Sequence, residues 1–122
     1  MTSKILIIED EAINAMLISS QLTRAGYKVC TLAATGEDAY KIAQEEKPDF
    51  LLIDIGLAGA LDGIETARWI LALREVPFAF LTGYASDTIS RRVAALSPIA
   101  YFTKPIQFGQ IEAVLKNILP PT

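Results

Sequence analysis

Histidine is absent from this 122-residue sequence, and cysteine occurs only once, as Cys30. Without histidine, the chain cannot form a Ser-His-Asp triad, a Cys-His catalytic pair, a His-ligated zinc site or a phosphohistidine. A lone cysteine cannot form an internal disulfide, which favours a reducing cytoplasm, and we expect Cys30 to be a small buried apolar residue. The chemistry open to the chain is that of carboxylates, hydroxyls and lysines.

The sequence also lacks a basic surplus and a long apolar run. Its formal net charge of −3 argues against general nucleic-acid binding, which needs a basic surface. No apolar run approaches the ~18 residues of a membrane span, and we see no signal-peptide pattern, so we expect no membrane attachment. With 52% hydrophobic and 20% charged residues, we expect one globular domain over residues 1–122 and no second domain.

Two apolar runs end in acidic residues. Phe50–Ile53 is typical of a strand buried on both faces, and Asp54 follows it directly. Ile5–Ile8 is a similar run, followed by the acidic segment Glu9–Glu11. A buried carboxylate is costly unless it is paired, hydrogen-bonded or bound to a metal. Acids at the ends of two buried strands therefore indicate a binding or reaction site.

Strand and helix patterns alternate five times along the chain. The predicted strands are 5–8, 27–32, 50–54, 78–81 and 99–102, and each is followed by a segment with helical spacing of apolar residues. Such alternation predicts a parallel sheet covered by helices on both faces. We therefore predict an α/β fold: a flavodoxin-like, doubly wound, five-stranded parallel sheet of order 2-1-3-4-5 with five helices.

Local signals set several helix boundaries. Gly26 should end the first helix, and Thr35 should begin the second through a capping-box pattern. Ser86 or Asp87 is the expected cap of the fourth helix. Within that helix, we expect the adjacent arginines 91 and 92 to be solvated.

The predicted strand order gathers polar side chains at one edge of the sheet. Strands 1 and 3 are central neighbours, so Glu9, Asp10 and Asp54 should share one cleft, with Thr82 and Lys104 at the same edge. Like charges this close raise one another's pKa unless a cation intervenes. Either one carboxyl group stays protonated, as in an acid–base dyad, or a hard dication such as Mg²⁺ lies among them. With Mg²⁺, the lysine and threonine would hold phosphoryl oxygens while Asp54 attacks phosphorus.

These residues resemble the receiver domains of two-component response regulators. The resemblance rests on residues 5–11, 51–54, 62–63, 81–83 and 101–105, which occur in the family's order. It implies a single-domain phospho-accepting signalling module of chemotaxis or phosphorelay type, cytoplasmic and not an enzyme, with Mg²⁺ as cofactor. The implied donor is the phosphohistidine of a histidine kinase or a histidine phosphotransfer protein, because this chain has no histidine of its own.

The resemblance also assigns roles to individual residues. Asp54 accepts the phosphoryl group and binds Mg²⁺ together with Asp10, the Gly56 carbonyl and, through water, Glu9. Thr82 and Lys104 hold the phosphoryl oxygens, Tyr101 changes rotamer with Thr82, and the Lys104–Pro105 bond is cis. The surface of the fourth helix, fifth strand and fifth helix would then change, for a downstream protein or for homodimerisation. We assign to it Ser90, Arg91, Val93, Ala94, Phe102 and Gln107.

The sequence departs from the family pattern around the acceptor. Ala58 stands where the family usually has proline, and Asp62-Gly63 comes one residue late, so the loop after Asp54 is longer. Gly56 offers no polar group to position water, and Tyr84 stands where it would cover the site. From these two positions we predict slow self-hydrolysis of the aspartyl phosphate.

Simpler interpretations stand beside this one. Taken singly, Asp10 would be a helix cap, Thr82 a turn residue, Lys104 a surface lysine, and Tyr101 a strand aromatic with its hydroxyl in water. At the level of function, one alternative is a degenerate receiver that acts as a constitutive protein-interaction module. Another is a flavin binder or Mg²⁺-dependent phosphatase on the same fold.

Overall fold

The computed structural model describes residues 3–57, 59–83 and 87–119, and it has the predicted architecture. Five parallel strands form one sheet of order β2-β1-β3-β4-β5. The strands are β1 (Lys4–Ile8), β2 (Lys28–Val29), β3 (Phe50–Asp54), β4 (Phe78–Thr82) and β5 (Ala100–Thr103). The helices are α1 (Ala12–Arg24), α2 (Gly36–Glu46), α3 (Gly63–Leu73), α4 (Asp87–Leu96) and α5 (Phe108–Ile118).

The central strands are apolar throughout because both faces of the sheet are covered. Along β3, Leu51 and Ile53 pack with α2, α3 and α4, whereas Phe50 and Leu52 pack with α1 and α5. Successive side chains of a strand point to opposite faces, so a strand between two helical layers has to be apolar at every position. Asp54, which ends β3, is the charged exception in that strand.

The predicted second strand is too long. Only Lys28–Val29 pair regularly with β1, and Ala33 forms an isolated bridge with Ile8. The Cys30 amide donates to the Ile5 carbonyl and the Ala33 amide to the Ile7 carbonyl. Four residues, 30–33, thus run beside three residues of β1, 5–7, and the extra residue interrupts the ladder. Periodicity alone does not reveal this insertion.

Two of the helix-boundary predictions are confirmed. Gly26 has a φ of 98°, the left-handed conformation that a helix end requires. The Thr35 hydroxyl accepts a hydrogen bond from the Asp38 amide at 3.1 Å and caps α2. The fifth strand begins at Ala100, one residue later than predicted. The proposed capping side chains of Ser86 and Asp87 lie outside the described parts, as do Ala58, Tyr84 and the last three residues.

The start of α3 is packed against the end of β3. Asp62 caps α3 by accepting a hydrogen bond from the Glu65 amide at 2.8 Å. Gly63 then lies so close to β3 that an added Cβ would stand 2.0 Å from the Asp54 carbonyl oxygen. Only glycine permits this approach, which ties the loop between β3 and α3 to the acidic end of β3. Among the described residues, no helix is long and apolar enough to cross a bilayer.

Candidate functional site

Three carboxylates meet at the carboxyl edge of the sheet, as the strand order predicts. Ile8 pairs with Ile53 in the register of β1 and β3, which places Glu9 and Asp10 beside Asp54. One carboxylate oxygen from each of the three acids lies within 4.8 Å of the others. Glu9 and Asp54 are buried, with 2% and 4% of their surfaces exposed, whereas Asp10 faces solvent.

Lys104 reaches this cluster from the end of β5. Its Nζ lies 3.0 Å from Asp54 Oδ2 and 3.3 Å from Glu9 Oε1. The Lys104 amide donates to the Thr82 carbonyl at 2.7 Å, which extends the pairing of β4 and β5 to the edge of the site. The ammonium group therefore points at the two buried carboxylates and not into bulk solvent. The peptide bond between Lys104 and Pro105 is cis.

Both carboxylate oxygens of Asp54 have partners. Oδ2 is paired with Lys104, and Oδ1 accepts a hydrogen bond from the Gly56 amide at 2.9 Å. A Cβ at position 56 would stand 3.6 Å from Asp54 Oδ1, an ordinary contact distance. Glycine is therefore not required there by packing, and its lack of a side chain leaves the approach to Asp54 open.

The two buried acids differ in acidity. Burial raises the pKa of Glu9 to about 7, helped by its hydrogen bond to Asp54 and by the charge of that neighbour. Burial also acts to raise the pKa of Asp54, but hydrogen bonds from Glu9, Lys104 and Gly56 outweigh it and lower that pKa. The same contact with Asp54 raises the pKa of Lys104 against the opposing effect of burial. Asp54 is therefore the more acidic of the two.

The donor set fits a hard dication. Glu9, Asp10 and Asp54 offer only carboxylate oxygens, and Mg²⁺ prefers oxygen ligands from one or two carboxylates together with water. A dication among them would offset the repulsion between Glu9 and Asp54, which adds to the effect of burial in raising the pKa of Glu9. Asp10, the exposed member, lines a cavity of about 210 Å³ with Asp54, Gly56, Thr82 and Lys104. This cavity connects Asp54 to solvent.

Thr82 and Tyr101 lie on adjacent strands beside this cavity. Thr82, the last residue of β4, is 4% exposed, and Tyr101 pairs with Phe80 in the β4–β5 register. The Tyr101 ring packs against the core on the α2–α3–α4 side of the sheet. Its hydroxyl is buried and finds no hydrogen-bond partner among the described residues. The simpler interpretation, with this hydroxyl in water, is therefore wrong.

The structure corrects two expectations about α4 and β5. Arg91 is exposed as predicted, but Arg92 is half-buried and forms an ion pair with Asp62 at 3.0 Å. No local pattern could reveal this pair, because its members stand 30 positions apart. Val93 and Phe102, assigned to a protein-binding surface, are buried with 7% exposure each and belong to the core. Ser90, Ala94 and Gln107 are exposed.

Comparison with known proteins agrees with this geometry. Residues 5–116 match the family described as response regulator receiver domain. The transcriptional regulatory protein AfsQ1 of Streptomyces coelicolor is 38% identical over 120 residues, which cover 98% of this chain and 52% of AfsQ1. The chain spans about half the length of several such relatives.

Solved structures have the same fold. A CheY-like receiver domain from Methanospirillum hungatei is 26% identical with a TM-score of 0.89, covering 96% of this chain and 93% of that one. A response regulator from Burkholderia pseudomallei, solved with a phosphorylated aspartic acid and a calcium ion, is 29% identical with a TM-score of 0.82. The match covers 93% of this chain and 66% of that protein. With its fold, its acidic cluster and its match over residues 5–116, the chain belongs to the response regulator receiver domain family.

Proposed function

We propose that this chain is a phospho-accepting signalling module of a two-component or phosphorelay system, with Asp54 as the acceptor. The observation that carries the proposal is the double anchoring of Asp54, with Lys104 at 3.0 Å from Oδ2 and the Gly56 amide at 2.9 Å from Oδ1. This ionised carboxylate opens to a cavity that also holds Asp10 and Thr82. The chain has no histidine, so the phosphohistidine donor has to be another protein, a histidine kinase or a histidine phosphotransfer protein.

The reaction is an in-line displacement at phosphorus. A carboxylate oxygen of Asp54 forms the new O–P bond while the N–P bond of the donor's phosphohistidine breaks, and the electron pair returns to the imidazole. Lys104 and the Thr82 hydroxyl neutralise and orient the phosphoryl oxygens. Phosphoryl transfer depends mainly on positioning and charge neutralisation, so these contacts supply most of what the protein needs.

Mg²⁺ would be held by Asp10, Asp54 and the Gly56 carbonyl directly, and by Glu9 through water. When bound, the ion offsets the charge of the acids and of the incoming phosphoryl group. The fit of an all-oxygen cluster within 4.8 Å supports this assignment.

The switch would pass through Thr82 and Tyr101. A phosphoryl group adds nearly two negative charges and three strong acceptors, which attract the Thr82 hydroxyl. Movement of that threonine leaves room for the Tyr101 ring. Rotation of the ring would take its hydroxyl out of a buried position where it has no described hydrogen-bond partner, which lowers the free energy of that group. The α4–β5–α5 face, through its exposed residues Ser90, Arg91, Ala94 and Gln107, would then bind a downstream protein or a second copy of the chain.

We further propose that residues 1–122 act as one receiver unit in the cytoplasm, with slow loss of the phosphoryl group. Gly56 supports the slow loss, because it places no polar side chain beside Asp54 to orient a water molecule. A phosphoryl lifetime of only seconds in the isolated chain with Mg²⁺ would contradict this part of the proposal.

Intact-mass measurement tests the acceptor role. The chain is incubated with acetyl phosphate and Mg²⁺, beside Asp54→Asn and the control Asp38→Asn, which changes an exposed aspartate in the first turn of α2. We expect one adduct of about 80 Da in the wild type and the control, none in Asp54→Asn, and none after chelation of Mg²⁺. Absence of any adduct from acetyl phosphate and from a phosphorylated histidine donor would favour a degenerate receiver that binds its partner constitutively.

A further inference from the structure

An ion pair joins α4 to the loop that follows the acceptor strand. Arg92 Nη2 lies 3.0 Å from Asp62 Oδ2 and 3.3 Å from Asp62 Oδ1. The same carboxylate caps α3, because its Oδ1 accepts the Glu65 amide at 2.8 Å. Asp62 thus connects the middle of α4 with the first turn of α3.

The residue after Asp62 rests on the acceptor strand. The Gly63 amide donates to the Ile55 carbonyl at 3.1 Å, and the space for a Cβ at Gly63 is already filled by the Asp54 carbonyl group. Close packing of backbone against backbone transmits displacement, because no gap is left to absorb it. A shift of Asp62 is therefore passed through Gly63 to the backbone of Asp54 and Ile55. The Ile55 carbonyl belongs to the same peptide group as the Gly56 amide.

We propose that Arg92 is a positioning residue for the acceptor site, acting through Asp62 and Gly63. The inference rests on the proposed role of Asp54 as acceptor. Arg92 does not touch Asp54. It restricts the positions open to Asp62 and Gly63, and so holds the Gly56 amide on Asp54 Oδ1 and the Gly56 carbonyl where a metal ligand is needed. A loop that is already ordered has less entropy to lose when the ion binds.

The solvent exposure of the Arg92–Asp62 ion pair distinguishes a positioning role of Arg92 from a general effect on the stability of the fold. The Arg92 and Asp62 side chains are 39% and 37% exposed, and ion pairs that remain partly exposed contribute little to the free energy of unfolding. An effect of Arg92 on the acceptor loop should therefore appear without a matching loss of global stability. Asn at position 62 would keep the helix cap and remove the charge, because its side-chain oxygen also accepts a hydrogen bond.

The coupling works in both directions. A protein that binds α4 and forms its own contact with Arg92 would break the ion pair between Arg92 and Asp62. Asp62 and Gly63 would then be held less firmly, and metal binding at Asp54 would weaken. By thermodynamic reciprocity, metal bound at Asp54 strengthens the contact between Arg92 and Asp62 by the same free energy. This connects α4, part of the proposed protein-binding face, to the acceptor by a path that does not involve Thr82 or Tyr101.

A set of charge variants tests the proposal on the full chain. Arg92→Gln, Asp62→Asn and their double variant remove the ion pair, Arg92→Lys keeps the charge, and Arg91→Gln is the control from the exposed neighbouring arginine. Amide hydrogen exchange of Gly63 is measured by NMR without metal, and the Mg²⁺ dissociation constant by titration at low salt. Urea unfolding of each variant reports global stability.

We expect Arg92→Gln and Asp62→Asn each to speed Gly63 exchange and to weaken Mg²⁺ binding, both by about two- to five-fold. The double variant should lose no more than either single one, Arg92→Lys should retain most of the affinity, and Arg91→Gln should match the wild type. Equal exchange and affinity in Arg92→Gln and Arg91→Gln, or fully additive losses in the double variant, would overturn the proposal. Gly63 exchange needs no phosphoryl transfer, so a wild-type chain without any phosphoryl adduct would refute only the acceptor role of Asp54.

Discussion

Replacing Gly63 with alanine tests the contact that joins α3 to the acceptor strand. The added Cβ would stand 2.0 Å from the Asp54 carbonyl oxygen, 2.7 Å from the Asp54 carbonyl carbon and 2.8 Å from Ile55 Cα. All three are backbone atoms, two in the last residue of β3 and one in the residue after it. None of them can rotate away as a flexible side chain would. The first turn of α3 has to move away from the sheet.

The expected change in the free energy of unfolding follows from two opposing effects. Overpacking in a well-packed interior destabilises by about 1–3 kcal/mol, and contact with rigid backbone favours the upper part of that range. Alanine is better than glycine in a helix by about 1 kcal/mol, and less at the first helical position. We therefore expect Gly63→Ala to lower the free energy of unfolding by about 2 kcal/mol, or the melting temperature by roughly 8 °C for a domain of this size.

Gly109 provides the matched control. It also lies in the first turn of a helix, α5, and a Cβ there meets no atom within 4 Å. Gly109→Ala should stabilise the chain by about 0.5–1 kcal/mol, because it restricts the unfolded chain and fits the helix. Trp69, the only tryptophan, lies in α3 against Tyr40 with ring centroids 5.6 Å apart, so its fluorescence follows α3 in urea unfolding. Equal unfolding midpoints for Gly63→Ala and the wild type would refute the close approach of α3 to β3.

Two other side chains give predictions that need no ligand. Tyr101→Phe should raise the free energy of unfolding by about 1 kcal/mol, since it removes a buried hydroxyl without a described partner; a loss of that size in urea unfolding would show that this hydroxyl is hydrogen-bonded. Burial, reinforced by the charge of Glu46, raises the pKa of the Cys30 thiol from 9.0 to about 11, so its thiolate at pH 8 should be about a hundred-fold scarcer than that of a free thiol. Because the folded pKa is the higher one, this thiol stabilises the fold fully below about pH 9, and the contribution is lost as the pH rises toward 11. A thiol-specific reagent should therefore label Cys30 readily in urea and very slowly in the native chain, and rapid native labelling would contradict its burial.

Two features of the sheet could be predicted from the sequence: its buried strands and the meeting of acids at one edge. The first depends on the hydrophobic period and the second on the strand order. A strand covered on both faces has to be apolar at each position, so Ile5–Ile8 and Phe50–Ile53 reveal themselves without any contact being known. Once strands 1 and 3 are neighbours, Glu9 and Asp54 have to meet at the same edge. The prediction failed between Cys30 and Ala33, where one extra residue in an edge segment leaves no trace in the alternation of apolar residues.

By itself, the sequence determined the α/β class from the hydrophobic period of its segments. The strand order known for five-stranded doubly wound sheets then brought the acids and a lysine to one edge. Only the tertiary structure decided which two of the three acids are buried, where the Tyr101 hydroxyl lies, and that Arg92 pairs with Asp62. Burial, pKa and ion pairing depend on distances between elements far apart in the chain. Those distances are set by how α3 and α4 pack on the sheet, and no local pattern of residues records them.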